Sequence, residues 1–221
     1  LTNRKIAWVA GASGLIGRSL VQQLCEDKQY EEVYAFVRSQ NSSDYQHQKL
    51  SYFICDWNKL LQNPSSFEAP SHEVSDLFCA LGSTKKKTPN AMEYVRIDVE
   101  YPEAFAKLGK EHGAGFYGLV SANGADGKMP STYLSMKKDV EHRIKHCDYA
   151  HAAIARPSLL LGDREEFRLG EKASEFICKL LPGNLKAIDG ADVAAALIRS
   201  ASSKDLGFSI LSSKSMQGAA K

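Results

Sequence analysis

Apolar positions along this chain switch repeatedly between a continuous or two-residue pattern and a helical one, and the switching predicts strands and helices in turn. Lys5-Ile6-Ala7-Trp8-Val9-Ala10 is an apolar run of strand length, and Leu15, Ile16, Leu20, Val21 and Leu24 then recur at helical spacing. That pattern gives a buried strand followed by a helix with one apolar face. Strand runs return at Glu32 to Arg38, Leu50 to Cys55, Val74 to Ala80, Gly115 to Ser121, Tyr149 to Arg156 and Phe208 to Leu211. Helical patterns lie between them: Asn58 to Leu61, Pro89 to His112, a helix starting at Ser131, and one through Val193, Leu197 and Ile198 capped by Asp189 or Asp192. Pro102 interrupts the long pattern and predicts a kink or restart near Glu100. Regular strand–helix alternation predicts an α/β doubly wound parallel sheet.

The first strand runs into Gly11-Ala12-Ser13-Gly14-Leu15-Ile16-Gly17. Glycines at this spacing between a strand and a helix suit a dinucleotide. The first allows the tight turn, the second lets a pyrophosphate approach the backbone, and the third lets the helix pack on the strand. N–H groups at the helix start then face the anion, which makes Gly11, Ser13, Gly14, Leu15, Ile16 and Gly17 the candidate cradle. The second strand ends at Arg38 and Ser39, where an NAD site usually carries Asp or Glu for the ribose 2′-hydroxyl. Arginine suits a 2′-phosphate, so NADP(H) is expected to be preferred, with NAD(H) as the alternative cofactor; the plain reading is a surface arginine. Asp56 falls on the adenine side of such a crevice or caps the helix that follows. Leu81 and Gly82, in a small-residue turn after the fourth strand, let backbone come close to a cofactor. The run Lys85-Lys86-Lys87 reads as a solvated loop.

Tyr133 and Lys137 are four residues apart and share a face if this segment is helical. A phenol beside an ammonium is suited to general acid work, with Lys137 also placed to hold a nicotinamide ribose. Ser121, ending the fifth strand, is the candidate for orienting the reacting oxygen. Tyr45 and Lys49 repeat the spacing in a polar stretch, so location separates the pairs: Tyr133 lies 12 residues after Ser121, and both are expected at the carboxyl edge of the sheet.

With Gly11-x-x-Gly14-x-x-Gly17, Ser121 and Tyr133-x-x-x-Lys137 together, the sequence resembles the short-chain dehydrogenase/reductase family. The resemblance implies a Rossmann-type fold, a nicotinamide cofactor, Tyr133 as proton donor or acceptor, Lys137 on the ribose and Ser121 on the substrate oxygen. The stretches Cys79-Ala-Leu-Gly-Ser-Thr-Lys85, Val95-Arg-Ile-Asp-Val-Glu-Tyr101 and Arg156-Pro-Ser-Leu-Leu-Leu-Gly162 extend the likeness to the whole length. They resemble the atypical branch that includes the Tat-interacting protein and bacterial nucleoside-diphosphate-sugar epimerase-like oxidoreductases. By that resemblance Pro157 borders the nicotinamide, and some members act as NADPH-binding regulators. Many family members carry an asparagine in a water-borne proton relay; Asp98 stands in its place here, as a relay residue or a structural one.

A chain of 221 residues with 43% hydrophobic content builds one substantial core. Residues 1–221 are expected to form one NAD(P)-binding domain, with 158–188 as a small C-terminal substrate-side lid that includes a short helix from Ser174 to Leu181. A net charge of +2 from mixed charges gives no reason to invoke nucleic acid. No apolar run reaches bilayer-spanning length and no secretory pattern opens the chain, so a cytoplasmic location is expected. Cys25, Cys55, Cys79, Cys147 and Cys178 are odd in number and widely spaced, which predicts reduced core residues and no zinc site. The expected activity is NADPH-dependent hydride transfer to a small-molecule carbonyl substrate. The alternative is an NADPH-binding protein that regulates a protein partner without significant turnover.

Overall fold

Alternate residues of β1 (Lys5–Ala10) face two different cores, which is what a central strand covered on both sides requires. Trp8 and Ala10 pack with Phe36, Leu77, Phe105, Tyr117 and Val140, whereas Ala7 and Val9 pack with Leu20, Leu24, Val33 and Leu197. In the first layer, Phe105 meets Phe36 edge-on with ring centroids 5.0 Å apart. The structure, a computed structural model, describes residues 4–39, 45–127, 131–161, 186–203 and 205–220.

The elements follow the order expected. After β1 come α1 (Leu15–Glu26), β2 (Tyr30–Val37), β3 (Leu50–Ile54), α2 (Trp57–Gln62), β4 (Asp76–Cys79) and α3 (Ala91–Val95). One π-helical turn, Arg96–Glu100, joins α3 to α4 (Tyr101–Glu111). Then follow β5 (Phe116–Val120), α5 (Thr132–Lys145), β6 (His151–Arg156), β7 (Leu160–Leu161), β8 (Ile188–Asp189), α6 (Gly190–Ala201) and β9 (Gly207–Ser212). The main sheet has the order β3-β2-β1-β4-β5-β6-β9 and every neighbouring pair is parallel. β7 and β8 form a separate parallel pair.

Local chemistry explains the boundaries. Ser131 caps α5 by accepting from the Leu134 N–H, and Asp189 caps α6 by accepting from the Ala191 N–H. Asp192, the other cap candidate, instead accepts from the Gly218 and Ala220 N–H groups and pins the end of the chain. The restart expected near Glu100 is the π turn, with Pro102 in the first turn of α4, where no backbone donor is needed. Of the expected lid, residues 162–185, including the Ser174–Leu181 helix and Cys178, lie outside the described residues. Cys25, Cys55 and Cys79 are buried free thiols and Cys147 is half-buried. Among the described residues no cluster of His, Cys, Asp and Glu is arranged to hold a metal, and no helix is long and apolar enough to cross a membrane.

Candidate functional site

The order of strands reverses between β1 and β4, and in doubly wound sheets such a switch point is where a ligand crevice lies, outside the carboxyl ends of the strands. Every loop that carries a candidate residue leaves this same edge. The glycine turn leaves β1, Arg38 and Ser39 leave β2, Asp56 follows β3, Leu81 and Gly82 follow β4, Ser121 ends β5 and Pro157 follows β6.

The turn after β1 is too tight for side chains at two positions. Gly11 has φ +76°, and a Cβ there would meet the Ala80 carbonyl oxygen at 2.5 Å. A Cβ on Gly17 would stand 2.0 Å from the Gly11 carbonyl oxygen. The loops after β1 and β4 are thus in backbone contact across the crevice. Gly14 is the N-cap of α1 and supplies no side-chain cap, and no acid occupies the first turn. The N–H groups there remain for a ligand, with the positive end of the helix dipole behind them. Ser13 and Gly14 are exposed, Leu15 is half-buried and Ile16 is buried in the core. This cradle fits a dinucleotide pyrophosphate.

Around it, Arg38 and Ser39 are exposed at the end of β2. Asp56 is engaged as the cap of α2, its Oδ1 accepting from the N–H groups of Asn58 and Lys59. Leu81 is half-buried and Gly82 exposed, and Gly82 lies over a buried ion pair: a Cβ placed on it would be 3.5 Å from both Asp98 Oδ1 and Lys137 Nζ. Pro157 is buried, and its carbonyl accepts from the Asn123 N–H, tying the β5 and β6 ends together.

Ser121, Tyr133 and Lys137 share this edge. Tyr133 is half-buried, with Lys137 Nζ 5.7 Å from its ring centroid, as the helical spacing predicts. Lys137 is buried and pairs with Asp98, Nζ to Oδ1 being 2.9 Å. Burial works against its charge, but the Asp98 carboxylate outweighs that and holds the ammonium above the usual lysine range. The Ser121 hydroxyl is buried and donates to Glu141 Oε1 at 2.5 Å.

Glu141 is the member of this network that the sequence reading missed, and Asp98 the one it leaves open between a relay and a structural role. Glu141 is buried and takes a two-pronged grip from Arg156, Nε to Oε1 at 3.0 Å and Nη2 to Oε2 at 2.5 Å. The carboxylate thus joins α5 to the ends of β5 and β6. A signal existed: Tyr133, Lys137 and Glu141 recur every four residues on one helix face, and Arg156 directly precedes Pro157. Removing one member of a buried pair leaves the other charge uncompensated. Glu141→Ala is therefore expected to lower stability by about 2–3 kcal/mol in urea unfolding, somewhat below the fully buried case because Arg156 keeps some water contact.

A family profile described as NAD(P)H-binding matches residues 11–204. Protein HTATIP2 of Rattus norvegicus is 30% identical over 168 residues, covering 76% of this chain and 67% of that protein. Protein FMP52, mitochondrial, of Candida albicans is 28% identical over 201 residues, covering 86% and 85%. Among solved structures, UDP-N-acetylglucosamine 4-epimerase from Methanobrevibacter ruminantium, in complex with UDP-N-acetylmuramic acid, superposes with a TM-score of 0.69 at 16% identity, covering 95% of this chain and 76% of that one. The Bordetella bronchiseptica enzyme WbmH, in complex with NAD+, does so with 0.68 at 15% identity, covering 95% and 76%. These two likenesses establish the fold. The cytoplasmic expectation is corrected: several FMP52 relatives are named mitochondrial and point away from the cytoplasm. The patterns behind that expectation bear on secretion and membrane insertion, and neither separates the cytosol from an organelle interior.

Proposed function

The chain belongs to the NAD(P)H-binding proteins of the short-chain dehydrogenase/reductase family, in its atypical branch, and on that premise we propose that it is an NADPH-dependent oxidoreductase acting on a carbonyl substrate. The observation that carries this reading is the meeting, at one sheet edge, of the glycine cradle with the Ser121, Tyr133 and Lys137 side chains.

In this reading the first turn of α1 and the backbone of the glycine turn bind the pyrophosphate, and Arg38 binds the 2′-phosphate. Lys137 holds the ribose and presents a fixed positive charge beneath Tyr133. The Tyr133 hydroxyl gives its proton to the reacting oxygen. Ser121 donates to Glu141 in this structure, and to orient the reacting carbonyl oxygen it turns that proton from the carboxylate to the substrate. NADPH, when bound, supplies the hydride. The test is a panel of aldehydes, ketones and quinones followed by NADPH absorbance. Oxidation of NADPH with stoichiometric alcohol formation supports the reading; NADPH binding with no turnover across the panel refutes it.

One observation favours a second reading, a cofactor-binding regulator of a protein partner: Lys137 and Ser121 are both engaged by buried carboxylates before any substrate arrives. The two readings differ in whether turnover or only binding responds to NADPH.

Cofactor choice is separately testable. Arg38 is exposed at the end of β2, the position at which a guanidinium meets a ribose 2′-phosphate. Arg38→Ala is expected to weaken NADPH binding by about tenfold to a hundredfold, the loss of one charge-assisted contact, and to leave NADH binding nearly unchanged. Equal effects on both cofactors in fluorescence titrations would remove Arg38 from the site.

A further inference from the structure

The least explained group in the crevice is Asp98. It sits in the π turn, a local widening of the helix that is frequent at functional sites, and only 1% of its surface is exposed. One carboxylate oxygen lies 2.9 Å from Lys137 Nζ. The other accepts from the Ser83 N–H at 2.8 Å. Ser83 belongs to the turn that follows Leu81 and Gly82, and its hydroxyl is in turn bonded to buried Thr88 at 2.6 Å. A single buried carboxylate therefore joins α5, which carries Tyr133 and Lys137, to the loop that walls the crevice after β4.

We propose that Asp98 is a positioning residue that keeps Lys137 charged and aimed at the crevice, and that it does not pass protons to water. The inference rests on the proposed Ser121–Tyr133–Lys137 site and deepens it. A neutral amide donates and accepts, and can therefore hold a water in a relay; an ionised carboxylate only accepts. Here one oxygen accepts from a backbone N–H, and the other lies 2.9 Å from the ammonium as a charge pair with no hydrogen bond of its own. To carry a proton outward, Asp98 would have to break from the ammonium or from the Ser83 N–H that holds it.

The groups facing Lys137 are few. Asp98 comes from the π turn, Tyr133 from α5 itself and Cys79 from β4. Burial pushes the Cys79 thiol up, so it stays neutral, and Tyr94, which faces Asp98, is pushed up to about 12 by burial and then by that carboxylate. Asp98 is thus the negative charge against the ammonium at ordinary pH. Its removal leaves Lys137 buried with the desolvation penalty alone, and the charged form is then lost as pH rises.

The test uses the free protein with 15N-labelled lysine, the Lys137 Nζ signal being identified by its loss in Lys137→Met. In the wild type Lys137 is expected to titrate above the exposed lysines, and in Asp98→Asn its midpoint drops by about three pH units, as for a buried unpaired lysine. NADPH titrations supply a second reading. Wild-type affinity is expected to be the same at pH 6.5 and pH 9, whereas Asp98→Asn loses about tenfold between them, and the loss disappears when Lys137→Met is added. A midpoint unchanged by Asp98→Asn, or a loss of affinity equal at both pH values, overturns the proposal. If Asp98→Asn does not fold, the wild-type titration decides: Lys137 at or below the exposed lysines overturns it. A wild type that binds no NADPH refutes the reading of the site, and the lysine titration still judges Asp98.

Discussion

Gly17→Ala is expected to abolish NADPH binding and to destabilise the protein together. The new methyl would stand 2.0 Å from the Gly11 carbonyl oxygen, 2.7 Å from its carbon and 2.8 Å from the Ala12 Cα. All three are backbone atoms, so no side-chain rotation can relieve the overlap. Either α1 moves away from β1 or the turn opens, and each outcome spoils the layer in which Ile16 and Leu20 pack against Ala7 and Val9. Forcing one extra carbon into a packed interior costs about 1–3 kcal/mol where side chains yield, and an immovable backbone places this site at or above the upper end. Thermal unfolding and NADPH fluorescence titration measure the two effects. Gly14→Ala separates them, because a methyl there meets only the Gly11 oxygen at 3.3 Å yet intrudes where the pyrophosphate would lie. It is expected to keep the fold and lose the ligand. Full NADPH affinity in Gly14→Ala would show that the anion does not sit on this turn.

Tyr133→Phe is expected to lower kcat by about a hundredfold to ten-thousandfold, the range ascribed to a positioned general acid, with NADPH affinity and thermal stability nearly unchanged. The phenol ring is half-buried against the core that contains Val140 and Ile144, and phenylalanine keeps that packing. Only the hydroxyl is lost. The measurement is steady-state turnover of whichever carbonyl compound in the panel is reduced, alongside NADPH titration and melting. Turnover retained within a few fold would remove Tyr133 from the chemistry and shift the proton donor elsewhere. A parallel loss of cofactor binding would instead indicate that the tyrosine shapes the cradle.

The buried carboxylates give the two halves of the site different tolerance to change. Substitutions at Glu141 act first on stability, because its partners Arg156 and Ser121 belong to the ends of neighbouring strands. Substitutions at Asp98 act on a charge that the proposed cofactor site uses. A residue that only held the fold would show no dependence on pH in its effect on NADPH, and that distinction makes the Asp98 experiment decisive between the two roles.

Much of this architecture is legible in the order of residues because its causes are local. A strand buried on both faces needs a continuous apolar run, and Lys5–Ala10 supplies one; a helix covering it needs apolar residues at three- and four-residue spacing, and Leu15 to Leu24 supply them. The strand limits move by one or two residues at most in the structure, since the last ladder hydrogen bond is set by the partner strand and not by the run itself. The cap at Ser131 and the restart before Pro102 are likewise local events. For Asp56 the sequence allows a cofactor contact or a cap, and its side chain is engaged in the cap.

The order of residues alone yields the list of parts: strands alternating with helices, a glycine-rich turn between the first strand and the first helix, and a tyrosine and lysine one helical turn apart. Which charges meet is settled by packing between distant segments. Asp98 is 39 residues from Lys137, and Glu141 is 20 from Ser121 and 15 from Arg156. No periodicity links such positions, because their contact depends on how α5 and the π turn pack across strand ends that the doubly wound order brings side by side. The desolvation that makes those pairs strong exists only after the core has closed around them.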